Sequence, residues 1–392
     1  MNTAVERQEQ ADYRHIKCTH LTGALGAEVD GVQLSGNLSA EIMTELRRAL
    51  LEHKVLFFRD QRMNDDDHAG FARLVGTPVD ADFIPALDGY PMMTRQQYDE
   101  HSRMGADVSF HADDSFHRYP TKMSILRALK VPAHGGDTVW VNMEKVYASL
   151  SPALQEFLDG KSCEHSVAKG FGRTMLEESS GASFDKMMLR NPPHEHPLII
   201  RHPETGVKSL YVSELLTLRI KELAREESDL LLQYLCQLAY RPEFACRFQW
   251  KDNSVAWWDN RCTVHRGIDD FFPALRIMHR VAIADEQQPS MEPDQVVKRE
   301  IAHLDIVACN SLDDEPDAGE AELADGVDAA FLATLNRKKV GIRFTPEASV
   351  RIKSIPAMFR GAALSAIFDV AEQRDATVID VDILDIVQAQ RD

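Results

Sequence analysis

The sequence has few cysteines, and their spacing excludes two classes of protein. Only six of the 392 residues are cysteine, they are scattered, and no two form a CxxC pair. Structural zinc sites and disulfide frameworks depend on closely spaced or paired cysteines. We therefore expect a protein of the reducing cytoplasm. At 392 residues, the chain is long enough for one large domain and a smaller one, or for two ordinary domains.

Positive charge and long apolar runs are also lacking. The 44 Lys and Arg residues are outnumbered by 62 Asp and Glu residues, which gives a formal net charge of −18. Nucleic acid and anionic membrane surfaces would be repelled by that charge. No apolar stretch is long enough to span a membrane, and the polar N-terminal segment does not resemble a signal peptide. We expect a small-molecule substrate, and neither nucleic acid nor a membrane as partner.

The pattern of elements predicts a mainly β fold with flanking helices. Helices are predicted over 38–53 after a Ser39 cap and over 65–76 after an Asn64 cap, with the strand-like run VLFFRDQ between them. From about residue 105, short strand-like runs such as MSILRAL, DTVWVNM, SVAWWDN and RIMHRVAIA are separated by Gly, Pro and Asn. This pattern is typical of a sandwich or barrel rather than of a parallel sheet.

Longer segments interrupt these strands. Helices are predicted over 146–158 and 213–238. Residues 163–197 show no steady period and are predicted to form a long loop, of the kind that often covers an active site. Within it, His194 and His196 are flanked by prolines and are expected in a turn.

The C-terminal part of the chain divides in two beyond a main domain that we assign to residues 13–287. Residues 288–344 are predicted to be an acidic linker region. Residues 345–392 predict a small α-helical module. Its expected helices cover 346–355, 357–373 and 381–390.

Three HxD or HxE triplets are candidates for a metal site. On a strand, the side chains at i and i+2 point to the same side, so one triplet supplies two of the three protein ligands of a non-haem iron(II) oxygenase. Composition alone gives about two such triplets by chance, so the triplet is weak evidence by itself. The three are His111-Ala-Asp113, His202-Pro-Glu204 and His303-Leu-Asp305.

Context favours the first triplet. The second carries an internal Pro and a following Gly, which suits a turn, and the third lies in the acidic extension. The triplet of His111 and Asp113 begins the strand-rich region, and His265 follows a strand-like run much later. Farther on, Arg276 and Arg280 share one face of a predicted strand. Arginines inside a barrel need anions, and a guanidinium can bind the distal carboxylate of a keto acid.

Taken together and in order, these segments resemble the taurine dioxygenase and 2,4-dichlorophenoxyacetate dioxygenase family. The resemblance covers roughly residues 13–287 and runs through LTGALGAEVDGVQLS, VLFFRDQ, FHADDSF, GGDTVWVNM, HPLIIRHPETG, WWDNRCTVHRG and RIMHRVAIADE. It implies a double-stranded β-helix (jelly-roll) core, with iron(II), 2-oxoglutarate and O2 as cofactor and co-substrates. It also suggests a homo-oligomer.

The resemblance assigns roles by position. It implies that the iron ligands are His111, Asp113 and His265. It implies that Thr138 and Arg276 bind the distal carboxylate of 2-oxoglutarate, and that Arg280 contacts an acidic group of the substrate. Because related halogenases have a small residue in place of the carboxylate, Asp113 favours hydroxylation over halogenation.

The sequence departs from the taurine pattern at several positions. A family His and Tyr are replaced by Thr77 and Asp80, an Asn by Asp107, and an aromatic residue by Leu216. These differences argue against taurine itself as substrate. Asp80, Asp107 or Asp114 is predicted instead to contact a substrate that carries a cationic or hydroxyl group.

The predicted activity is hydroxylation or oxidative cleavage of a small anionic or zwitterionic molecule, with release of succinate and CO2. Two alternatives stay open: a jelly-roll metal enzyme that does not use 2-oxoglutarate, and a non-catalytic binding or regulatory protein of the same fold. The C-terminal residues 345–392 resemble the small module of light-independent protochlorophyllide reductase subunits, mainly through the pattern IPxxxRxxA. No cluster ligands accompany that module, so it does not imply that activity.

Overall fold

The structure is a computed structural model that divides the chain into two compact units, 1–307 and 308–392. Of these units it describes residues 13–81, 85–102, 104, 108–170, 188–292, 343–354, 367–368, 370–371, 374 and 378–389. Asp107, the triplet that begins at His303 and most of the acidic extension lie outside the described residues.

The first unit is mainly β, with flanking helices. Its helices are α1 (Ala40–His53), α2 (Asp65–Val75), α3 (Met143–Ala148), α4 (Pro152–Leu158) and α5 (Arg225–Ala239), and a 3-10 turn covers Pro242–Phe244. Its strands are β1 (Lys17–His20), β2 (Ala27–Asp30), β3 (Val55–Phe58), β4 (Ala86–Leu87), β5 (Tyr90–Tyr98), β6 (Thr121–Lys130), β7 (Thr138–Asn142), β8 (Ser162–His165), β9 (His194–Pro197), β10 (Ile199–Arg201), β11 (Lys208–Leu210), β12 (Thr217–Ile220), β13 (Ala245–Phe248), β14 (Val255–Asp259), β15 (Thr263–Gly267) and β16 (Arg276–Ala284).

A large sheet and a small sheet form the frame of this unit. The large sheet has eight strands in the order β1-β2-β3-β14-β6-β16-β5-β4. Its neighbours pair antiparallel, except that β2 and β3 run parallel. The small sheet has the order β13-β7-β15 and is antiparallel. Separate pairings join β8 with β9 and β12, and β10 with β11.

The two sheets enclose a shared core. Phe57 and Trp258 of the large sheet belong to the same buried cluster as Trp140 and Phe248 of the small sheet, and the rings of Phe57 and Phe248 stack at 4.1 Å. The outer face of the large sheet packs against α1 and α2, and that of the small sheet packs against α5. This mainly β arrangement with covering helices is consistent with the jelly roll implied by the sequence.

Strand β3 illustrates why an unbroken apolar run in the sequence predicted a strand. Its four residues, VLFF, are all buried, because alternate side chains enter different clusters. Leu56 and Phe58 pack with α1 and α2, whereas Val55 and Phe57 face the small sheet. A strand covered on both sides reads as a continuous apolar run.

The predicted helix starts at α1 and α2 are confirmed. The Ser39 side chain accepts a hydrogen bond from the Ile42 amide at the start of α1. At α2, Asn64 and Asp67 form a reciprocal capping box. Satisfying the first amides of a helix in this way fixes where it begins.

Two predicted helices need correction. The helix predicted over 146–158 is two helices, because Ser151 and Pro152 begin α4 afresh, and proline does not continue a preceding helix. The helix predicted over 213–238 starts only at Arg225. The residues before it include strand β12, which pairs with β8, so pairing across the fold overrides the local apolar spacing.

The loop predicted over 163–197 is also only partly correct. Both of its ends are strands, since β8 pairs with β9. His194 and His196 therefore lie on β9 and not in a turn, and the His196 Nε2 atom lies 3.0 Å from the backbone oxygen of His117. Residues 171–187 lie outside the described part of the chain.

The second unit contains short elements around its own apolar cluster. Helices cover Pro346–Ser354 and Val381–Ala389, and Arg343–Phe344 pairs in parallel with Val378–Ile379. Most of the helix predicted over 357–373 lies outside the described residues. Across the described parts of both units, no helix combines the length and the apolar character needed to cross a membrane.

Candidate metal centre

The backbone brings two of the predicted ligands together. His111 forms a bridge with His265 of β15: the His111 amide donates to the His265 carbonyl at 3.0 Å, and the reverse bond is 2.8 Å. A single bridge thus joins the segment of His111 to β15 of the small sheet. The two imidazole rings lie 4.3 Å apart.

Asp113 completes a buried group of three. Its Oδ1 atom lies 3.7 Å from the Nε2 atom of His111 and 3.8 Å from the Nε2 atom of His265. One ligand atom from each residue lies within 4.8 Å of the other two, and all three residues are buried. The sequence predicted this convergence, although His265 is far away along the chain.

The protonation of the imidazoles suits metal binding. The Nδ1 atom of His111 lies 2.8 Å from the Ser109 carbonyl oxygen, to which an Nδ1 proton would be donated, so Nε2 is left with its lone pair. Burial, with the nearby His111, lowers the pKa of His265 to about 3 and keeps its ring neutral. The His265 Nδ1 atom is buried and has no hydrogen-bond partner among the described residues.

The second oxygen of Asp113 is engaged elsewhere. Its Oδ2 atom accepts a 2.6 Å hydrogen bond from the Ser124 hydroxyl, lies 3.0 Å from the Arg280 guanidinium and lies 3.4 Å from the Asn260 amide nitrogen. Burial alone would raise the pKa of Asp113, but the charge of Arg280 and the hydrogen bond from Ser124 hold that pKa well below its usual range. The carboxylate is therefore charged, with Oδ1 directed at the imidazoles.

This donor set fits iron(II). Two neutral imidazoles and one carboxylate oxygen on one side of a buried point are the ligands of non-haem iron(II) oxygenases, which leave the opposite side for co-substrate and oxygen. Buried aromatic rings lie beside the site: the ring of Trp258 meets that of His265 edge-on at 4.7 Å, and Trp140 stacks on it at 6.2 Å.

Arg276 and Thr138 lie in one region of the sheet interface. The Arg276 side chain is buried, and a Cβ added to Gly136 would lie 3.4 Å from its Cδ atom. Gly136 has a φ of +69° and lies two positions before the start of β7, so the glycine turn allows the start of β7 to approach Arg276. Thr138 is buried at that start, and its hydroxyl oxygen accepts a 2.9 Å bond from the Trp250 indole.

Of the three predicted substrate residues, the structure describes Arg280 and Asp80. Arg280 contacts both Asp113 and Asp114, at 3.0 and 3.5 Å. Asp80 is exposed beyond α2 and forms no ion pair with the three clustered residues in the described part of the chain. Asp107 lies outside the described residues.

A second buried group next to the site was missed by the sequence analysis. Arg261 donates to both carboxylate oxygens of Asp259, at 2.9 and 2.6 Å, and His202 lies 3.1 Å from the same carboxylate. The HPE triplet lies in a turn, as predicted. Its Glu204 accepts a hydrogen bond from Arg261, which joins the triplet to an ion-pair network. Although Cys262 is nearby, Arg261 occupies the Asp259 oxygens that a metal would need.

Removing the Asp259 carboxylate is expected to destabilise the protein strongly. Asp259→Ala leaves the buried Arg261 without its bidentate partner, and breaking a buried ion pair costs about 3–5 kcal/mol. Urea unfolding followed by tryptophan fluorescence measures the change in the free energy of unfolding. The control Asp229→Ala removes an exposed partner of Arg225 and should cost less than about 1 kcal/mol. Equal effects of the two substitutions would contradict this prediction.

Comparison with known proteins agrees with the site. The model of the taurine catabolism dioxygenase TauD, TfdA family matches residues 17–282, and the chain belongs to that family. It is 35% identical to an enzyme named alkylsulfatase from Acinetobacter baylyi, over 73% of this chain and 89% of that one. It is 33% identical to an alpha-ketoglutarate-dependent sulfate ester dioxygenase from Pseudomonas putida, over 68% and 88%.

A solved structure supports the same conclusion. A taurine dioxygenase from Burkholderia xenovorans superimposes with a TM-score of 0.61 at 31% identity, over 71% of this chain and 95% of that one. The protein is therefore an enzyme, a 2-oxoglutarate-dependent dioxygenase that requires iron(II) and O2 and acts on small molecules. Neither alternative, a metal enzyme without a keto acid or a non-catalytic protein, is favoured.

Proposed function

We propose that this dioxygenase oxidises alkyl sulfate esters at the carbon that carries the ester oxygen. The observation that carries the proposal is the similarity to two relatives named for sulfate esters, at 35% and 33% identity over most of their length. Such substrates are small and anionic, as the sequence predicts. Taurine is a sulfonate, and the replacements at Thr77, Asp80 and Leu216 argue against it.

In this proposal His111, Asp113 and His265 hold the iron, which supplies the oxygen chemistry that side chains cannot perform. The protein contributes ligands suited to a metal ion: the His265 imidazole, whose pKa is lowered by burial, the His111 imidazole, whose Nδ1 faces the Ser109 carbonyl oxygen, and a carboxylate kept ionised by Arg280. The buried aromatic surroundings exclude water from the oxidising centre.

Arg276 and Thr138 bind the distal carboxylate of 2-oxoglutarate. The guanidinium is buried beside the glycine turn, where a bidentate ion pair is strengthened by low solvent exposure. The Thr138 oxygen already accepts a hydrogen bond from the Trp250 indole. Its hydroxyl proton is therefore donated to a different group, and the distal carboxylate of 2-oxoglutarate is such an acceptor.

The substrate would bind near Arg280. The sulfate group approaches this guanidinium, and the alkyl chain contacts the buried apolar cluster of Phe116, Val167, Leu215 and Leu216. A backbone bond of 3.1 Å from the Leu215 amide to the Phe110 carbonyl ties this cluster to the segment that carries His111. Asp80 and Asp107 are further proposed substrate contacts.

The products follow from the position of oxidation. Replacement of one C–H hydrogen by hydroxyl gives a carbon that carries both OH and the sulfate ester oxygen. Its C–O bond to sulfate breaks, the hydroxyl loses its proton, and an aldehyde and sulfate are formed. The accompanying oxidation converts 2-oxoglutarate and O2 to succinate and CO2, so each turnover releases one sulfate and one succinate.

A substrate panel tests the proposal. Purified protein with iron(II), ascorbate and 2-oxoglutarate is given linear alkyl sulfates, alkyl sulfonates, taurine or 2,4-dichlorophenoxyacetate, and succinate and the released sulfate or sulfite are measured. We expect alkyl sulfates to give the highest kcat/KM, with sulfate and succinate released in equal amounts. Succinate release that depends on a sulfonate or phenoxyacetate and not on any sulfate ester would overturn the substrate class while leaving the dioxygenase intact.

We also propose the organisation of the whole protein. The dioxygenase domain comprises residues 13–287, followed by an acidic linker region over 288–344 and a helical module over 345–392. The division of contacts after residue 307, which lies inside the proposed linker, supports this. A cytoplasmic homo-oligomer without nucleic-acid or membrane partners completes the proposal, and five described cysteines that form no disulfide are consistent with that location.

A further inference from the structure

We propose that Asn260 is a positioning residue that makes Asp113 a single-oxygen ligand of the iron. This inference rests on the proposed ligand set and concerns a residue that contacts Asp113 rather than the reacting atoms. Asn260 belongs to the run WWDNRCTVHRG, in which the proposed mechanism uses only the histidine.

The Asn260 side chain contacts Asp113 with both ends of its amide. Its oxygen accepts a 3.2 Å bond from the Asp113 backbone amide and a 2.9 Å bond from the Trp258 indole. Its nitrogen lies 3.4 Å from the Asp113 Oδ2 atom and donates to the Ser124 hydroxyl oxygen at 3.2 Å. The Ser124 hydroxyl in turn donates to Oδ2 at 2.6 Å. Two donors thus meet the amide oxygen and two acceptors meet its nitrogen, which fixes its orientation.

The backbone at Asn260 is itself held in place. Asn260 lies in the turn between β14 and β15, next to Asp259. The Asp259 carboxylate accepts from the Arg261 amide at 2.9 Å, and its carbonyl accepts from the Thr263 hydroxyl at 2.7 Å. The same short turn leads into β15, which carries His265. This one turn therefore positions both the proposed ligand His265 and Asn260, the residue that orients the proposed ligand Asp113.

The consequence is a carboxylate that offers the metal one oxygen. Oδ2 is surrounded by Ser124, Asn260 and Arg280, and only Oδ1 is directed at the imidazoles. A carboxylate that rotated and bound through both oxygens would occupy a position that the co-substrate or oxygen needs. Partners that orient a ligand in this way typically change metal affinity or activity by about 10–100-fold when removed.

The test measures Mn(II) binding by electron paramagnetic resonance in wild type, Asn260→Ala, Ser124→Ala and Asp113→Ala. Wild type should bind one Mn(II) per chain, and Asp113→Ala should lose this binding. We expect Asn260→Ala and Ser124→Ala each to weaken Mn(II) binding by about 10–100-fold. Because the two residues act on one oxygen, the double variant should lose less than the product of the single effects.

A matched control separates positioning from general damage. Asn142→Ala also removes a buried asparagine amide, the one that caps α3 and donates to the Ala24 carbonyl at 2.9 Å. It should lower the melting temperature without changing Mn(II) affinity. If Asn260→Ala does not fold, Ser124→Ala decides: Mn(II) affinity within twofold of wild type overturns the inference. If Asp113→Ala is the only variant that loses Mn(II) binding, the positioning role of Asn260 is refuted but the ligand set is not. Unchanged binding in Asn260→Ala, Ser124→Ala and Asp113→Ala refutes both.

Discussion

Replacing Asp113 with alanine is expected to abolish turnover. The substitution removes the only carboxylate among the three clustered ligand atoms, and Oδ1 is the atom that faces both imidazoles. Loss of an outer partner of a metal ligand typically costs about 10–100-fold, so loss of the ligand itself should lower kcat by more than about 100-fold. Succinate release at saturating iron and substrate measures the effect.

The control for this prediction is a carboxylate of similar length away from the site. Asp66→Ala on α2 removes only a 2.7 Å hydrogen bond from the Tyr90 hydroxyl, and it should leave kcat unchanged. Circular dichroism should show both variants folded. Retention of more than about one hundredth of wild-type turnover by Asp113→Ala would contradict the assignment of this residue as a ligand.

Replacing Arg276 with alanine is expected to weaken 2-oxoglutarate binding far more than it affects the metal. Truncating one side of a buried charge-assisted pair costs about 2–5 kcal/mol, and 1.4 kcal/mol is tenfold, so the Kd for 2-oxoglutarate should rise on the order of 100-fold. Arg276→Lys should recover part of the affinity, because it keeps the charge without the planar fork. Anaerobic equilibrium titration measures the Kd directly.

The informative result is whether Arg276→Ala weakens 2-oxoglutarate binding without weakening Mn(II) binding. Mn(II) affinity without 2-oxoglutarate should stay near that of wild type, because Arg276 is not among the clustered ligands. Arg225→Ala removes an exposed arginine paired with Asp229 on α5. It should change neither the Kd for 2-oxoglutarate nor the Kd for Mn(II). If Arg276→Ala binds 2-oxoglutarate as wild type does, the distal carboxylate lies elsewhere.

The parts of the fold that the sequence predicted are those with strong local signals. The side-chain caps at Ser39 and Asn64 define α1 and α2, and the β-branched and aromatic runs define β3, β6, β7, β14 and β16. The segment 213–238 was misread because β12 owes its conformation to pairing with β8, which local apolar spacing does not reveal. Pairing between distant segments decides such ambiguous runs.

The grouping of His111, Asp113 and His265 was also predicted from the sequence. Ligand spacing and motif order are properties of the sequence. They were therefore enough to select the triplet of His111 and Asp113 and the run around His265. The contacts that Ser124 and Asn260 make with Asp113 were not readable: Asn260 is 147 positions from Asp113, and a serine on a strand carries no motif of its own. Second contacts of a ligand are set by the packing of sheets, which only the folded protein specifies.

Anaerobic titration with iron(II) in the presence of 2-oxoglutarate tests the assignment of the metal centre most directly. A bidentate keto acid on iron(II) gives a visible charge-transfer absorption. The absorption should appear only when iron(II) and 2-oxoglutarate are both present, and it should saturate at one iron per chain. It should be absent in the triple variant His111→Ala, Asp113→Ala, His265→Ala. An absorption of full intensity in that folded triple variant would mean that the iron is held by other residues.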